Sequence, residues 1–216
     1  MIRSENAMNV AFASFEAWRG WHQEHPWVFD SALVTETVGD IARAGLRDPV
    51  SGHVPASEVI ITGDNWRETI VALGLNSRTR ALMALAQEAA GDHAHLLDVY
   101  ACECVTSLAE RLRAQFPGFV GSEYFSDGRV SQAVSARFPD CTHQDVQTLS
   151  FPDSSFDLYV SSEVLEHVPS VSLTIKEARR ILRPGGVFLA TFPFRLVHYE
   201  SLTRAVLNTD GDIEYL

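Results

Sequence analysis

The chain has no long apolar run, few cysteines and fewer basic than acidic residues. No apolar stretch approaches the ~18 residues of a membrane span, and the N-terminus has no signal-like apolar core. The three cysteines form an odd count without a scaffold spacing, so we expect buried free thiols and a cytoplasmic location. With 17 basic and 28 acidic residues the net charge is −11, which argues against binding to phosphate backbones. We therefore expect a small-molecule partner, no nucleic acid and no membrane.

The length and composition are those of a soluble globular protein. The 216 residues, 46% hydrophobic and 21% charged, can bury a sizeable core. We expect a helical and irregular cap segment over residues 1–91 and an α/β domain over residues 92–216. The chain is compatible with a homodimer, but the sequence does not determine the oligomeric state.

The cap segment shows two helical patterns. Phe12, Phe15 and Trp18 form an aromatic stripe at helical spacing. The stripe either packs on the core or lines a substrate pocket as a cap, and the sequence leaves both open. A second helix is predicted over Asp30–Ala44, with Asp30 as its N-cap and Gly45 ending it.

The segment 46–76 reads as irregular, with a short strand at Glu58–Thr62, and a helix is predicted over Ser77–Ala90. The buried face of that helix is predicted to hold Leu82, Met83, Leu85 and Ala86.

Strands and helices alternate in the second domain, which predicts a parallel sheet with right-handed crossovers. The predicted strands are His95–Ala101, Phe119–Phe125, Thr142–Val146, Phe156–Val160 and Val187–Phe192, and the predicted helices are Val105–Phe116, Arg129–Phe138 and Ser172–Leu182. Ligands bind at the carboxyl ends of such strands, so Ser161–Glu163 and Phe192–Phe194 should face a pocket.

Two phrases of this domain, SFPDSSFDLYVSSEVLEHV and EARRILRPGGVFLATFPF, closely resemble the late motifs of class I S-adenosylmethionine-dependent methyltransferases. The resemblance covers about Ala94 to Phe194. It implies a Rossmann-like, doubly wound, mostly parallel sheet with helices on both faces and an N-terminal helical extension. Members of the family usually finish with a helix and an antiparallel hairpin. The given sequence has too few residues after the fifth predicted strand for these elements. We therefore expect the C-terminal strands to be missing, or the N-terminal segment to take their place.

An acidic side chain that follows the second strand is typical of sites that bind ribose hydroxyls. The resemblance assigns this role to Glu123; the alternative is a solvated loop carboxylate. It also implies that Asp145 accepts a hydrogen bond from the adenine amino group and that Val146 offers its backbone N–H. The full cofactor-binding set that it implies for S-adenosylmethionine is Asp98, Val99, Tyr100, Ala101, Glu123, Tyr124, Asp145, Val146, Ser161 and Ser162.

The first motif departs from the family. Asp98 resembles the acidic residue that orients the turn, but Tyr100, Cys102 and Cys104 stand where the family has glycines. Glycine provides clearance and positive φ in such a turn, and tyrosine provides neither. Tyr100 either fills the methionine subsite, which would abolish cofactor binding, or swings out and lines it. We favour the second alternative.

Glu163 and His167 follow the fourth strand and are the candidate catalytic residues. His167 could act as a base because its pKa lies near neutrality; alternatively, Glu166 and His167 only orient the following helix. The run Glu163-x-x-Glu166-His167 also resembles a metal-binding run of some O-methyltransferases, with His198 as a further ligand. We predict no metal here.

The segment NWRETIVALGLNSRTRALM and the residues before it faintly resemble a zinc-ribbon insert of some relatives. The ribbon cysteines are absent at 48–52 and 71–75, so we predict that apolar packing replaces zinc.

The leading hypothesis is a methyltransferase that acts on oxygen or nitrogen of a small metabolite, in small-molecule biosynthesis. A second hypothesis keeps S-adenosylmethionine but changes the reaction to cyclisation or cleavage of its methionine part. A third is a non-catalytic, methyltransferase-like binding protein.

Overall fold

The computed structural model describes residues 12–193, 202–209 and 213–216. The chain begins with helices α1 (Phe15–Glu24) and α2 (Ser31–Ala44), joined by a 3-10 turn. The carboxylate of Asp30 accepts hydrogen bonds from the backbone N–H groups of Ala32 (2.8 Å) and Leu33 (3.3 Å). Gly45 ends α2 with a φ of +84°. The predicted second helix and both of its caps are therefore confirmed.

The aromatic residues of α1 stack on one another along the helix. The ring centroids of Trp18 and His22 are 5.3 Å apart and those of Trp21 and His25 are 4.5 Å apart. No residue of α1 is buried. Phe12 and Trp18 are half-buried and Phe15 is 40% exposed, and none of the three belongs to the two core clusters or to the lining of the cavity described below.

The segment predicted to be irregular forms small antiparallel sheets. They are built from β1 (Leu46–Asp48), β2 (Gly52–Val54), β3 (Val59–Ile61), a short helix α3 (Trp66–Thr69), β4 (Ile70–Ala72) and β5 (Leu75–Asn76). Strands β1 and β2 form a hairpin, and the second sheet has the order β3-β4-β5. The predicted strand at Glu58–Thr62 corresponds to β3.

A buried ion pair joins these sheets. Asp48 ends β1, and one of its carboxylate oxygens lies 3.6 Å from Nε of Arg80. Arg80 also donates to the backbone carbonyls of Ile70 (3.3 Å) and Leu75 (3.1 Å). Apolar packing alone was expected to hold this segment. The structure adds an ion pair, and both Asp48 and Arg80 are largely removed from solvent.

The parallel α/β unit follows, and it packs against α4 (Ser77–Ala90), which belongs to the segment predicted as the cap. Its elements are β6 (Asp98–Ala101), α5 (Ser107–Gln115), β7 (Gly118–Glu123), α6 (Gln132–Arg137), β8 (Thr142–His143), β9 (Phe156–Ser162), α7 (Val171–Ile181) and β10 (Leu182–Thr191), and the last described strands are β11 (Ala205–Leu207) and β12 (Ile213–Tyr215). The five-stranded sheet has the order β10-β9-β6-β7-β8, with parallel pairing throughout. The order runs outward in both directions from β6, as in doubly wound folds. The predicted Rossmann-like fold is confirmed.

Each face of this sheet carries an apolar core. On one face, Val99 and Ala101 of β6 pack with residues of α4 and α5. On the other face, Tyr100 and Tyr159 pack with residues of α7. Side chains alternate between the faces of a strand, so this pairing fixes which face each residue of β6 must occupy.

Two details of the sequence prediction are corrected. Leu85 is 47% exposed, because α4 turns Leu82, Met83 and Ala86 toward the core instead. Strand β10 begins at Leu182, earlier than predicted, because Leu182 pairs with Phe156 before the register shifts between Leu182 and Val187.

Within the described ranges, no helix is long and apolar enough to cross a membrane.

Candidate cofactor site

The carboxyl ends of β6, β7 and β9 meet at one edge of the sheet, because the three strands are parallel neighbours. The loop 102–106 follows β6, Glu123 ends β7, and Ser162 and Glu163 lie at the end of β9. Ligands of doubly wound folds bind at this edge, beside the strand where the order reverses. The edge is therefore the candidate site.

Glu123 holds the loop that follows β6. Its Oε1 accepts hydrogen bonds from the backbone N–H groups of Cys104 (2.8 Å) and Val105 (3.2 Å). Oε2 makes no hydrogen bond to the part of the chain that the structure describes, which leaves it available to a ligand. Glu123 is thus not a solvated loop carboxylate.

The neighbouring strand end carries the residues expected near adenine. The backbone N–H of Gln144 donates to the carbonyl of Glu123 (3.1 Å), so Asp145 and Val146 follow directly beside Glu123. Oδ1 of Asp145 accepts from the backbone N–H of Gln147 at 2.8 Å. Val146 is buried, and the exposed ring of Tyr124 lies 5.5 Å from that of His143.

Tyr100 lies in the core and not at the cofactor edge. Its ring is fully buried against Phe151, Phe156 and Tyr159, with centroids 4.8–5.4 Å away. Its hydroxyl is hydrogen-bonded to that of Ser122 at 2.8 Å, and burial raises the pKa of the phenol. Neither alternative drawn from the sequence describes this placement, because both kept Tyr100 on the methionine side.

The residues beside Tyr100 also lie away from the carboxyl edge of the sheet. Val99 and Ala101 are fully buried in the core on the other face of the sheet. Asp98 begins β6 at the opposite edge, where its carboxylate pairs with Arg183 at 2.7 Å. We therefore leave Asp98, Val99 and Ala101 out of the set proposed below.

The cysteines of the loop are structural. The backbone N–H of Cys102 donates to the carbonyl of Val160 at 3.3 Å, which ties the loop to β9. Burial raises the pKa of the Cys102 thiol to about 11, so the group stays protonated at neutral pH. Cys104 and Cys141 are buried free thiols, as predicted, and Cys102 is half-buried.

The loop passes close to Gly121 of β7. A Cβ built on Gly121 would lie 2.8 Å from the carbonyl oxygen of Glu103 and 3.0 Å from the ring of Phe119. We expect Gly121→Ala to push this loop away and to destabilise the fold by about 1–3 kcal/mol, as overpacking does. Chemical denaturation measures the loss, and Gly20→Ala, where a Cβ meets nothing within 4 Å, is the matched control. A Gly121→Ala protein as stable as the wild type would contradict this packing.

A cavity of about 380 Å³ opens beside the loop. Glu103, Thr106 and Ser162 line it from the sheet side, and the turn between β4 and β5 and the start of α4 line it from above. Arg78 projects from that first turn. Its Nε and Nη2 donate to the two oxygens of Glu68 at 3.0 and 3.1 Å, and its Nη1 donates to the hydroxyl of Ser162.

Glu103 brings a buried carboxylate to this cavity. One of its oxygens accepts from the hydroxyl of Thr106, and the other, Oε1, is buried without a hydrogen-bond partner. Burial raises the pKa of Glu103, while the charge of Arg78 opposes that shift. A buried carboxylate oxygen without a partner is costly, so a ligand cation would satisfy it.

Glu163 has a backbone in the left-handed region and a side chain that is paired with an arginine. Its φ is +55°, and its N–H donates to the backbone carbonyl (3.0 Å) and the hydroxyl (3.2 Å) of Thr191. Its Oε2 lies 3.5 Å from Arg67, and its buried Oε1 has no hydrogen bond. Strained backbone of this kind is common at functional sites. The hydroxyl of Ser161, two residues earlier, is also buried without a hydrogen-bond partner among the described residues.

His167 lies on a 3-10 turn after β9, with its side chain 75% exposed and its Nε2 3.8 Å from Glu166. The imidazole does not line the cavity. No group of three or more metal-ligating side chains was found among the described residues. His198 and Phe194 lie outside the described residues.

Sequence reasoning missed Arg78, Glu68, Glu103 and the Asp48–Arg80 pair. A signal was present: two arginines, Arg78 and Arg80, stand in the first turns of α4, where the helix dipole disfavours cations. Arginine at that position needs carboxylate partners, and here Glu68 and Asp48 supply them.

The fold and this edge define a nucleotide-cofactor-binding domain of the Rossmann type. Residues 97–190 match the profile of the family described as "Methyltransferase domain". These residues form a class I S-adenosylmethionine-dependent methyltransferase domain.

The chain is similar in part to two curated proteins and to one solved structure. A protein of Mycolicibacterium smegmatis named a "probable S-adenosylmethionine-dependent methyltransferase" is 33% identical over 99 residues, which are 45% of this chain and 35% of the relative. The 2-methyl-6-phytyl-1,4-hydroquinone methyltransferase of a Synechocystis species is 34% identical over 91 residues, 40% of this chain and 29% of that protein. A solved structure from Pyrococcus horikoshii is 24% identical with a TM-score of 0.42, covering 53% of this chain and 56% of that one. The chain spans about a third of the length of the curated relatives named here.

Proposed function

We propose that this chain binds S-adenosylmethionine at the carboxyl edge of the sheet and transfers its methyl group to a small molecule. The observation that carries the proposal is Glu123, which ends β7, holds the loop after β6 through Oε1 and keeps Oε2 for a ligand. The family match over residues 97–190 supports it. In the proposed site, Oε2 of Glu123 accepts from ribose hydroxyls, and Asp145, Val146 and Tyr124 bind adenine.

When bound, S-adenosylmethionine supplies an electrophilic methyl group on a sulfonium. The protein then has to orient the acceptor, exclude water and take up the acceptor's proton. In the proposed mechanism, the turn 72–76 and the start of α4 cover the cavity against water. Ser162 and Glu163 lie beside it, at the end of β9.

Glu163 is the proposed proton acceptor. Its Oε1 is buried without a hydrogen bond, which leaves it free to accept a proton, and Arg67 and Arg78 lie 3.5 and 4.0 Å from the two carboxylate oxygens. His167 is a weaker candidate because its side chain is 75% exposed, whereas that of Glu163 is 19% exposed.

The acceptor atom of the leading proposal is oxygen or nitrogen. Transfer to carbon is the second candidate, because a relative 27% identical over 96 residues is named a sterol 4-C-methyltransferase, from Caenorhabditis elegans. Carbon NMR of the product made with methyl-¹³C-labelled S-adenosylmethionine distinguishes the two, since the chemical shift of the methyl carbon depends on whether it is bonded to oxygen, nitrogen or carbon.

Glu123→Ala tests the cofactor site. We expect S-adenosylhomocysteine affinity to fall by about 1.5–3 kcal/mol, or roughly tenfold to hundredfold, because charge-assisted hydrogen bonds are lost and the loop is released. Isothermal calorimetry measures the affinity. Glu110→Ala, on the exposed surface of α5, is the matched control and should bind as the wild type does. Equal affinity in Glu123→Ala and the wild type would contradict the site.

A further inference from the structure

The loop after β6 has Cys102 and Cys104 at positions where the family that the sequence resembles has glycines, and a cavity with charged side chains lies beside it. The cavity carries a cation and an anion that belong to different elements. Arg78 comes from the first turn of α4, and Glu103 comes from the loop itself. Their charges act on each other, because Arg78 opposes the rise in the pKa of Glu103.

Arg78 is held with part of its guanidinium uncommitted. Glu68 binds the Nε and Nη2 side as a bidentate partner, and Asn76 donates to Glu68 at 2.6 Å, which fixes that carboxylate. Three of the five guanidinium N–H groups take part in the contacts to Glu68 and Ser162. The remaining N–H groups on Nη1 and Nη2 are suited to a carboxylate, which guanidinium binds in a bidentate manner.

Glu103, in contrast, lacks a hydrogen-bond donor for one of its oxygens. Its Oε1 is buried and has no hydrogen-bond partner among the described residues. An ammonium group would supply both the missing donor and the counter-charge. The cavity therefore pairs a cationic donor surface with an anionic acceptor, which is the pattern that an α-amino acid zwitterion requires.

We propose that Arg78 and Glu103 bind the amino-acid end of the cofactor, with Arg78 on its carboxylate and Glu103 on its ammonium. The proposal rests on the proposed function and adds to it the side chains that replace the missing glycines. It assigns a binding role to the segment before the methyltransferase domain, because Arg78 and its support Glu68 both precede residue 97.

The test compares two ligands that differ only at the amino-acid end. S-adenosylhomocysteine carries the amino acid, whereas 5′-methylthioadenosine has the same adenosine and thioether without it. Arg78→Ala and Glu103→Gln should each weaken S-adenosylhomocysteine by roughly tenfold or more in calorimetry, the usual effect of losing a charged hydrogen bond. Methylthioadenosine affinity, measured by ligand-observed NMR at millimolar concentration, should change less than about twofold, since neither side chain would touch it.

Matched controls are Arg137→Ala and Glu110→Gln, which remove the same charges from an exposed surface pair. Unchanged methylthioadenosine binding also shows that the variants remain folded. Glu123→Ala should weaken both ligands, because ribose is common to them.

Wild-type affinity for S-adenosylhomocysteine in both Arg78→Ala and Glu103→Gln would overturn the inference and leave the proposed function standing. Equal losses for both ligands would overturn it as well, because the two residues would then act through the fold and not on the amino-acid end. A wild-type protein that binds neither ligand would instead overturn the proposed function.

Discussion

Tyr100→Ala is expected to lower the free energy of unfolding by about 3–5 kcal/mol, as other large aromatic truncations in cores do. The ring is fully buried and contacts three other aromatic rings, so its removal leaves a cavity beneath the sheet. The hydroxyl of Ser122 also loses its partner. Denaturation in urea measures the change as a lower midpoint at an unchanged slope.

Tyr100→Phe is the matched control. It keeps the ring and removes only the hydrogen bond to Ser122, so we expect a loss of about 1 kcal/mol and no change in cofactor affinity. If Tyr100→Ala instead kept wild-type stability and changed cofactor affinity, the ring would belong to the methionine subsite after all.

Arg80→Met is expected to destabilise the protein by about 3–5 kcal/mol, because removing one partner of a buried ion pair leaves the other charge uncompensated. Asp48 would remain buried without its counter-charge, and the carbonyls of Ile70 and Leu75 would lose a donor. The loss should centre on β1–β5, so hydrogen exchange of these strands should rise more than that of the five-stranded sheet.

Two variants calibrate this result. Arg137→Met removes an exposed arginine paired with Glu110, and such surface pairs contribute about 0–1 kcal/mol. The double variant Asp48→Asn with Arg80→Met should recover part of the loss, since no buried charge remains. An Arg80→Met protein as stable as Arg137→Met would show that the pair is not needed to join the two small sheets.

Much of the fold could be predicted because its elements are local and periodic. Helix α2 carries its own N-cap and terminating glycine, and α4 was predicted with its observed bounds, Ser77–Ala90. The strands of the parallel sheet were predicted in order, because buried strands read as apolar runs between turn residues. The small strands from β1 to β5 were mostly missed, since strands of two or three residues give no periodic signal.

The site was predicted less completely, and the reason is tertiary. Glu123 and Asp145 could be placed because they directly follow strands. The face that Tyr100 occupies depends on which core each side of β6 contacts, and a four-residue strand does not reveal this. Arg78 and Glu103 are 25 positions apart and belong to different parts of the fold, so only the folded chain brings them to one cavity.

Amide hydrogen exchange with and without S-adenosylhomocysteine tests the central claim most directly. If the cofactor binds at the carboxyl edge, saturating ligand should slow exchange in the loop 102–106, around Glu123 and Tyr124, and at Asp145 and Val146. Exchange along the edge strand β10 should stay unchanged. No protection at any of these positions, or protection confined to the region around β10, would contradict the account.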